Sequence, residues 1–137
     1  MKDDRAIVLD ACAIIAFLRG EPGAEIVREL LEKEPPVCMA HAVNVCEVFY
    51  DFLRTAGESD ALDSIITLRS IGVAVKEDMD EAFWQQAGRH KVACKVSLAD
   101  AFALALTERY EGELVTSDRR EFEPVQARGV VPITFIR

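Results

Sequence analysis

The sequence predicts an α/β fold with a mainly parallel central sheet, and two observations support that prediction. Short apolar runs alternate with segments of helical periodicity along the whole chain, which is the order of elements in a parallel α/β protein. The 137 residues are half hydrophobic and 29% charged, as in a globular domain that buries its own core. Since no repeat, low-complexity tract or linker divides them, residues 1–137 are expected to form one domain.

Five short runs have the composition of buried strands. The first run, at 6–9, ends directly before Asp10, and the second, at 37–40, is apolar at all its positions. The other three contain β-branched residues, which favour strands. These three runs lie at 72–77, 112–118 and 131–136.

Helical segments connect the strands. The first helix ends at Gly20, and the second, in "GAEIVRELLEKE", repeats apolar residues with the spacing of one helix face. Pro35 and Pro36 end this second helix, because proline disfavours helical geometry in the residue before it. The other helices are expected at 42–56, 59–71, 79–93 and 97–110, with a brief helical turn at 123–128.

Composition argues against several classes of protein. The apolar run near the start is too short to span a bilayer and contains Asp10, so we expect a cytoplasmic protein with no membrane segment. A net charge of −8 argues against a broad basic face for nucleic acid. His41 and His90 are too isolated for a histidine-based site. The cysteines form no C-x-x-C pair, so reduced, buried thiols are expected at Cys12, Cys38, Cys46 and Cys94.

Four carboxylates occupy positions where a parallel α/β sheet forms its sites, beyond the carboxyl ends of the strands. Each has an ordinary explanation when taken alone. Asp10 suits a loop after a strand, and Asp118 suits the cap of the segment that follows it. Asp100 completes an S-x-x-D capping box before an apolar run, and Glu47 can reach back to a helix start at Asn44.

The helix that contains Glu47 is expected to bury one apolar stripe, with Glu47 near the edge of that stripe. Residues three and four positions apart lie on one helix face, and this spacing selects the buried set. The set is Val43, Cys46, Phe49 or Tyr50, and Leu53.

Taken together, the four carboxylates predict a metal site. In a parallel sheet they can converge at one end of the molecule, where they repel one another unless a cation neutralises them. Oxygen ligands without cysteine or histidine select Mg²⁺ or Mn²⁺. Such an ion keeps water ligands, so it can hold phosphate oxygens and activate an attacking water. The ion would also supply the positive charge that the acidic surface lacks.

Four segments of the chain resemble, in order and spacing, the successive motifs of PIN-domain ribonucleases, and among these the VapC-type toxins of prokaryotic toxin–antitoxin pairs. The likeness extends from about Ile7 to Phe135. The four segments are "IVLDACAIIAFLRGEPGAE", "AVNVCEVFYDFL", "SLADAFALALT" and "LVTSDRREFEPV".

The resemblance implies a three-layer α/β/α fold, a homodimer, an RNA substrate and a cognate antitoxin that covers the active site. It assigns the acidic site for Mg²⁺ or Mn²⁺, with a hydroxyl that orients the last acid or a metal-bound water. The acids are Asp10, Glu47, Asp100 and Asp118, and the hydroxyl belongs to Thr116.

The chain departs from the family at one point. Many members have Ser, Thr or Asn just after the first aspartate, where this chain has Ala11 and Cys12. A thiol is a weaker hydrogen-bond donor than a hydroxyl, so this change is expected to weaken the site.

Arg119 and Arg120 directly follow the last acid, Asp118. Either they contact an RNA phosphate or an antitoxin carboxylate, or they are merely solvated.

Two other functions compete with a ribonuclease. A signalling receiver domain also places acids at strand ends, but it needs an aspartate after the third strand and a lysine after the last. Here the third strand runs into Lys76, and the last ends at Ile136, so the match is poor. The second alternative is a PIN-like module that binds a partner without catalysis, and the complete set of four acids argues against it.

Overall fold

The structure, a computed structural model, describes residues 5–33 and 38–137, and it contains one five-stranded parallel sheet. The strand order is β3-β2-β1-β4-β5, with every neighbouring pair parallel. This arrangement confirms the predicted fold class. The strands are β1 (Ile7–Leu9), β2 (Cys38–His41), β3 (Ala74–Lys76), β4 (Glu113–Thr116) and β5 (Ile133–Phe135).

Within the described residues, seven helices connect and cover the strands. Six of them were predicted from periodicity, with small differences at their ends. The helices are α1 (Ala11–Arg19), α2 (Ala24–Glu32), α3 (Ala42–Ala56), α4 (Glu58–Ser70), α5 (Glu81–Cys94), α6 (Leu98–Arg109) and α7 (Arg119–Ala127). The predicted stop at Pro35 and Pro36, and the predicted start of β2 at 37, lie outside the described residues.

The sheet separates two hydrophobic cores, which gives the three layers that the family resemblance implies. Because side chains alternate between the faces of a strand, Val8 faces one core while Ile7 and Leu9 face the other. One core is built from α5, α6 and α7, and the other from α1 to α4. Helix α6 is apolar on all sides and buried from Ala101 to Thr107, as its sequence predicts.

The last helix is longer than predicted. Instead of a brief turn at 123–128, α7 begins at Arg119. The reason is a cap, since the carboxylate of Asp118 accepts a hydrogen bond from the Glu121 amide at 3.0 Å and satisfies a free donor of the first turn. Asp118 is therefore a helix cap, as its local sequence suggested.

The predicted buried stripe of α3 is wrong. The face that packs inward carries Asn44, Val45 and Val48, whereas Tyr50 is 50% exposed and Leu53 is 39% exposed. The helix has apolar residues on two faces, and its periodicity does not reveal which face the sheet covers. The expectation of buried, reduced cysteines also fails in part, because the thiols are free but Cys12 and Cys46 are exposed residues.

The strand order reverses between β1 and β4, and that point is where parallel α/β sheets bind ligands. Gly112 lets β4 enter beside β1, because a Cβ atom there would lie 2.6 Å from the carbonyl oxygen of Ala6. The pairing register then sets Leu9 opposite Val115 and brings the next residues, Asp10 and Thr116, side by side. In the described part of the chain, none of the helices has the length and apolar character needed to cross a membrane.

Candidate active site

Asp10 lies at the centre of the site and is almost completely buried, with 1% of its surface exposed. It caps α1, and its Oδ1 accepts a hydrogen bond from the Ala13 amide at 2.9 Å. Its Oδ2 accepts a hydrogen bond from the Thr116 hydroxyl at 2.5 Å. Two donors therefore hold this carboxylate in one orientation, which is more than a loop residue needs.

Thr116 connects the first acid to the last. Its hydroxyl donates to Asp10, and the same oxygen accepts a hydrogen bond from the Asp118 amide at 3.0 Å. Thr116 is fully buried at the end of β4, where the register with β1 leaves it beside Asp10. This hydroxyl orients the Asp10 carboxylate through its side chain and Asp118 through its backbone.

Asp100 occupies the first turn of α6 and is half-buried. Its amide donates to the Ser97 hydroxyl at 3.1 Å, so Ser97 caps the helix as the S-x-x-D pattern predicts. Because α6 begins at the carboxyl edge of the sheet, Asp100 lies near Asp10, and its charge raises the pKa of that residue. The cap and a role in the site are compatible.

Glu47 lies in α3, about one turn beyond the carboxyl end of β2, and is half-buried. Its carboxylate accepts a long hydrogen bond from the Tyr50 hydroxyl at 3.4 Å. The proposed reach of Glu47 back to a helix start at Asn44 is wrong, because α3 begins earlier. The imidazole of His41 is the cap, and its Nδ1 accepts from the Val43 amide at 3.0 Å.

The acidic side chains act on one another electrostatically. Burial is the main reason that the pKa of Asp10 rises from 3.8 to about 7, and the charges of Asp100 and Asp118 raise it further. Burial also raises the pKa of Asp100 to about 7, with added repulsion from Glu121, Glu47 and Asp118. The pKa of Glu47 is raised too, again chiefly by burial. The structure thus brings the four predicted acids into one electrostatic cluster.

Two members of this cluster were not predicted as site residues. Glu121, in the first turn of α7, exerts the strongest repulsion of any carboxylate on Asp100. The D-x-x-E spacing of Asp118 and Glu121 is that of a capping box, and it could have drawn attention to Glu121. Cys12 is the other; burial raises the pKa of its thiol to about 12, and repulsion from Asp10 and the other acids adds to the rise.

Residues 7–127 match the PIN domain family, and this match covers most of the chain. The chain belongs to the PIN domain family. No match was found among curated proteins.

Solved structures share the fold of this PIN domain at low sequence identity. The VapBC-1 structure from nontypeable Haemophilus influenzae has a chain with 15% identity and a TM-score of 0.72, and the match covers 96% of this chain and 98% of that one. DNA-bound VapBC from Salmonella typhimurium has 17% identity and a TM-score of 0.72, with 97% and 99% covered. VapC20 from Mycobacterium tuberculosis, described as a sarcin-ricin loop cleaving toxin, has 19% identity and a TM-score of 0.69, with 90% and 95% covered.

The donor set of this PIN domain fits a hard cation. The four acids offer carboxylate oxygens, which Mg²⁺ and Mn²⁺ prefer as ligands. Across residues 5–33 and 38–137, however, no three His, Cys, Asp or Glu side chains already form a closed metal-binding group. Burial and neighbouring acids raise the pKa values of Asp10 and Asp100, and a cation bound beside them would offset the cost of ionising them. The site therefore suits an ion held by a few carboxylates and by water.

The two arginines after Asp118 differ in their surroundings. Arg119 donates to the backbone oxygen of Arg137 at 2.7 Å, pairs with Glu123 at 3.1 Å and lies over the Phe135 ring. Arg120 is exposed, and its side chain has no hydrogen bond or ion pair to the residues that the structure describes. Within the described structure, the side chain of Arg120 is therefore available to a ligand, whereas that of Arg119 already contacts other residues of the chain.

Burial of the Asp10 carboxyl predicts that the metal-free protein loses stability as pH rises. The unfolded chain releases this proton near its ordinary pKa of 3.8, whereas the folded protein releases it only near 7. Stability therefore falls across that window and levels off above it. In EDTA, we expect the Tm to be roughly 5–10 °C lower near pH 8 than near pH 5.

Asp10→Asn should reduce this fall in Tm and should raise the Tm near pH 8, since asparagine caps a helix without the charge. Asp63→Asn, at an exposed position of α4, is the control and should leave the pH dependence unchanged. A pH dependence that is identical in Asp10→Asn and the unmodified protein would show that Asp10 does not cause it.

Proposed function

We propose that this PIN domain is an endoribonuclease that depends on Mg²⁺ or Mn²⁺ and hydrolyses RNA phosphodiester bonds as the toxin of a type II toxin–antitoxin pair. The observation that carries the proposal is the linked group of Asp10, Thr116 and Asp118 at the switch point of the sheet, with Asp100 in its electrostatic field. A buried, doubly hydrogen-bonded carboxylate with a raised pKa is typical of functional sites rather than of caps.

Each acid has a proposed role. Asp10, Asp100 and Asp118 bind the ion, and Glu47 binds the ion or its water. A bound Mg²⁺ or Mn²⁺ supplies an activated water and neutralises charge that develops on the phosphate. Thr116 holds Asp10 in one orientation, so that Oδ1 and Oδ2 keep fixed positions while RNA binds.

Proton release accompanies metal binding in this proposal. Near neutral pH, Asp10 and Asp100 are each partly protonated, because their pKa values are about 7. A cation needs the ionised forms, so binding displaces these protons and becomes tighter as pH rises through this range. The two carboxylates that destabilise the metal-free fold when ionised are therefore the ones from which the ion displaces protons.

RNA is proposed as the substrate because the fold is shared with VapC20, which is described as a toxin that cleaves the sarcin-ricin loop. Phosphate attraction comes from the ion and from local arginine, since the chain carries a net charge of −8. A cytoplasmic location is proposed together with the RNA substrate. Cys12 stands where the family often has a hydroxyl, and its thiol is expected to give weaker metal positioning than serine would.

Cleavage of RNA by the purified protein tests the nuclease function. The protein, freed of any antitoxin, is incubated with a structured RNA pool in Mg²⁺ or Mn²⁺. We expect EDTA to abolish cleavage, and Asp10→Asn and Asp100→Asn each to lower the rate by more than about 100-fold through loss of an ion ligand. Asp63→Asn is the matched control and should cleave at the unmodified rate.

Two results would contradict this proposal. Cleavage that survives both substitutions and EDTA would come from a contaminant. Absence of cleavage, together with no rise in Tm when Mn²⁺ is added, would favour a PIN domain that binds a partner without catalysis.

Arg120 is proposed to contact an RNA phosphate, because it adjoins Asp118 and its side chain is unpaired in the described structure. We expect Arg120→Ala to raise the KM for RNA about 5- to 10-fold, with little change in kcat or Tm, through loss of one charged contact. Arg119→Ala is the comparison and should lower Tm, because it removes the contacts to Glu123 and Arg137. Equal KM values for Arg120→Ala and the unmodified enzyme would assign Arg120 to solvent or to an antitoxin carboxylate.

A cognate antitoxin is proposed as one partner, because the shared fold occurs in VapBC toxin–antitoxin structures. A second copy of this chain is proposed as the other partner. The exposed apolar stripe of α3, formed by Cys46, Tyr50 and Leu53, has the spacing of one helix face and suits a symmetric interface.

Sedimentation equilibrium tests the homodimer. We expect the purified chain to be a dimer, and Tyr50→Ser with Leu53→Ser to weaken dimerisation by at least about 100-fold, because both lose apolar contact. Val92→Ser, at an 80% exposed position of α5, is the control and should remain dimeric. A monomeric unmodified chain would exclude the homodimer. A double variant that still dimerises fully would place the interface elsewhere on the surface.

A further inference from the structure

Asn44 lies between the two helices that carry Glu47 and Asp100, and it has no solvent exposure. It is in the first turn of α3, one turn before Glu47. Its side-chain Nδ2 donates a hydrogen bond to the carbonyl oxygen of Ala99 at 3.3 Å. Ala99 directly precedes Asp100, so this bond joins α3 to α6 beside the acid cluster.

The other half of the Asn44 amide has no partner. Its Oδ1 is buried and accepts no hydrogen bond from the part of the chain that the structure describes. Rotating the amide would not help, because Oδ1 would then face the carbonyl oxygen of Ala99, which is also an acceptor. A buried acceptor without a donor is unfavourable, and asparagine is a weak helix former. For stability alone, an apolar residue would serve better at this contact.

The position of Asn44 between Glu47 and Asp100 explains why a buried asparagine occurs at this contact. Glu47 and Asp100 belong to different helices, and each repels the other when ionised. Their separation depends on how α3 packs against α6, and these two helices are in direct contact. The directional hydrogen bond from Asn44 to Ala99 fixes that packing at the site itself.

We propose that Asn44 is a positioning residue of the acid site. It ties α3 to α6 so that Glu47 and Asp100 keep the separation needed for one cation, and its free Oδ1 accepts a hydrogen bond from an ordered water at the site. The inference rests on the proposed metal-dependent function. It assigns Asn44 no contact with the RNA or the ion.

Three variants test this role. Asn44→Leu keeps the branching at Cγ but is larger, and it removes both hydrogen-bonding groups, whereas Asn44→Ser keeps one small group that donates and accepts. Val48→Ala, in the buried face of the same helix, is the control, because it lowers stability but keeps the hydrogen bond from Asn44 to Ala99. Two quantities are measured, the rise in Tm on addition of Mn²⁺ and the kcat and KM for an RNA that the unmodified enzyme cleaves.

We expect Asn44→Leu to remain folded in EDTA, to lose most of the Mn²⁺-induced rise in Tm and to lower kcat about 10- to 100-fold with KM within about threefold, as for residues that orient metal ligands. Asn44→Ser should lie between Asn44→Leu and the unmodified enzyme. Val48→Ala should have a lower Tm but an unchanged Mn²⁺-induced rise and kcat.

The inference is overturned if Asn44→Leu retains the full Mn²⁺-induced rise and kcat, or if Val48→Ala loses them to the same extent. If Asn44→Leu does not fold, full retention of both quantities in Asn44→Ser overturns it instead. An unmodified protein that neither cleaves RNA nor responds to Mn²⁺ would overturn the proposed nuclease function and this inference with it. Cleavage of RNA with the same kcat by the unmodified enzyme and by Asn44→Leu would overturn the positioning role alone.

Discussion

The parallel pairing of β1 with β4 is the constraint on which the rest of the site depends. Its register places Asp10 beside Thr116, and the hydroxyl of Thr116 then donates to the buried carboxylate and accepts from the Asp118 amide. Asp118 in turn caps α7. A slip of one residue in this pairing would turn the side chains of one strand to the other face of the sheet, and Asp10 would then no longer lie beside Thr116. The core and the site are therefore specified by the same backbone hydrogen bonds.

The site conflicts electrostatically with the fold that carries it. Asp10 and Asp100 have raised pKa values because they are buried and because other acids surround them. The surrounding structure stabilises this arrangement with two apolar cores and with helix caps at Asp10, Ser97 and Asp118. Buried carboxylates that repel one another are common in cation-binding sites, since a bound ion relieves the repulsion.

The sequence predicted the elements well and the surfaces less well. Period-two and period-3.6 patterns are local, so the strands and most helices could be located without the structure. The two faces of α3 could not be told apart, because both carry apolar residues and only the sheet determines which one is buried. The cap of α3 was misplaced for a related reason. His41 can cap because its imidazole lies against Phe83 and Phe102, which are distant in sequence.

By itself, the sequence determined the fold class, the order of the elements and the four acids that end strands or begin helices. These depend on local patterning and on residue chemistry. The tertiary structure alone decided which groups meet, since Asp10 and Thr116 are 106 positions apart and local periodicity carries no information about such a contact. It also added Glu121 to the cluster and, among the residues that the structure describes, gave Arg119 partners that Arg120 lacks and left the Asn44 oxygen without a donor, because each outcome depends on how helices pack.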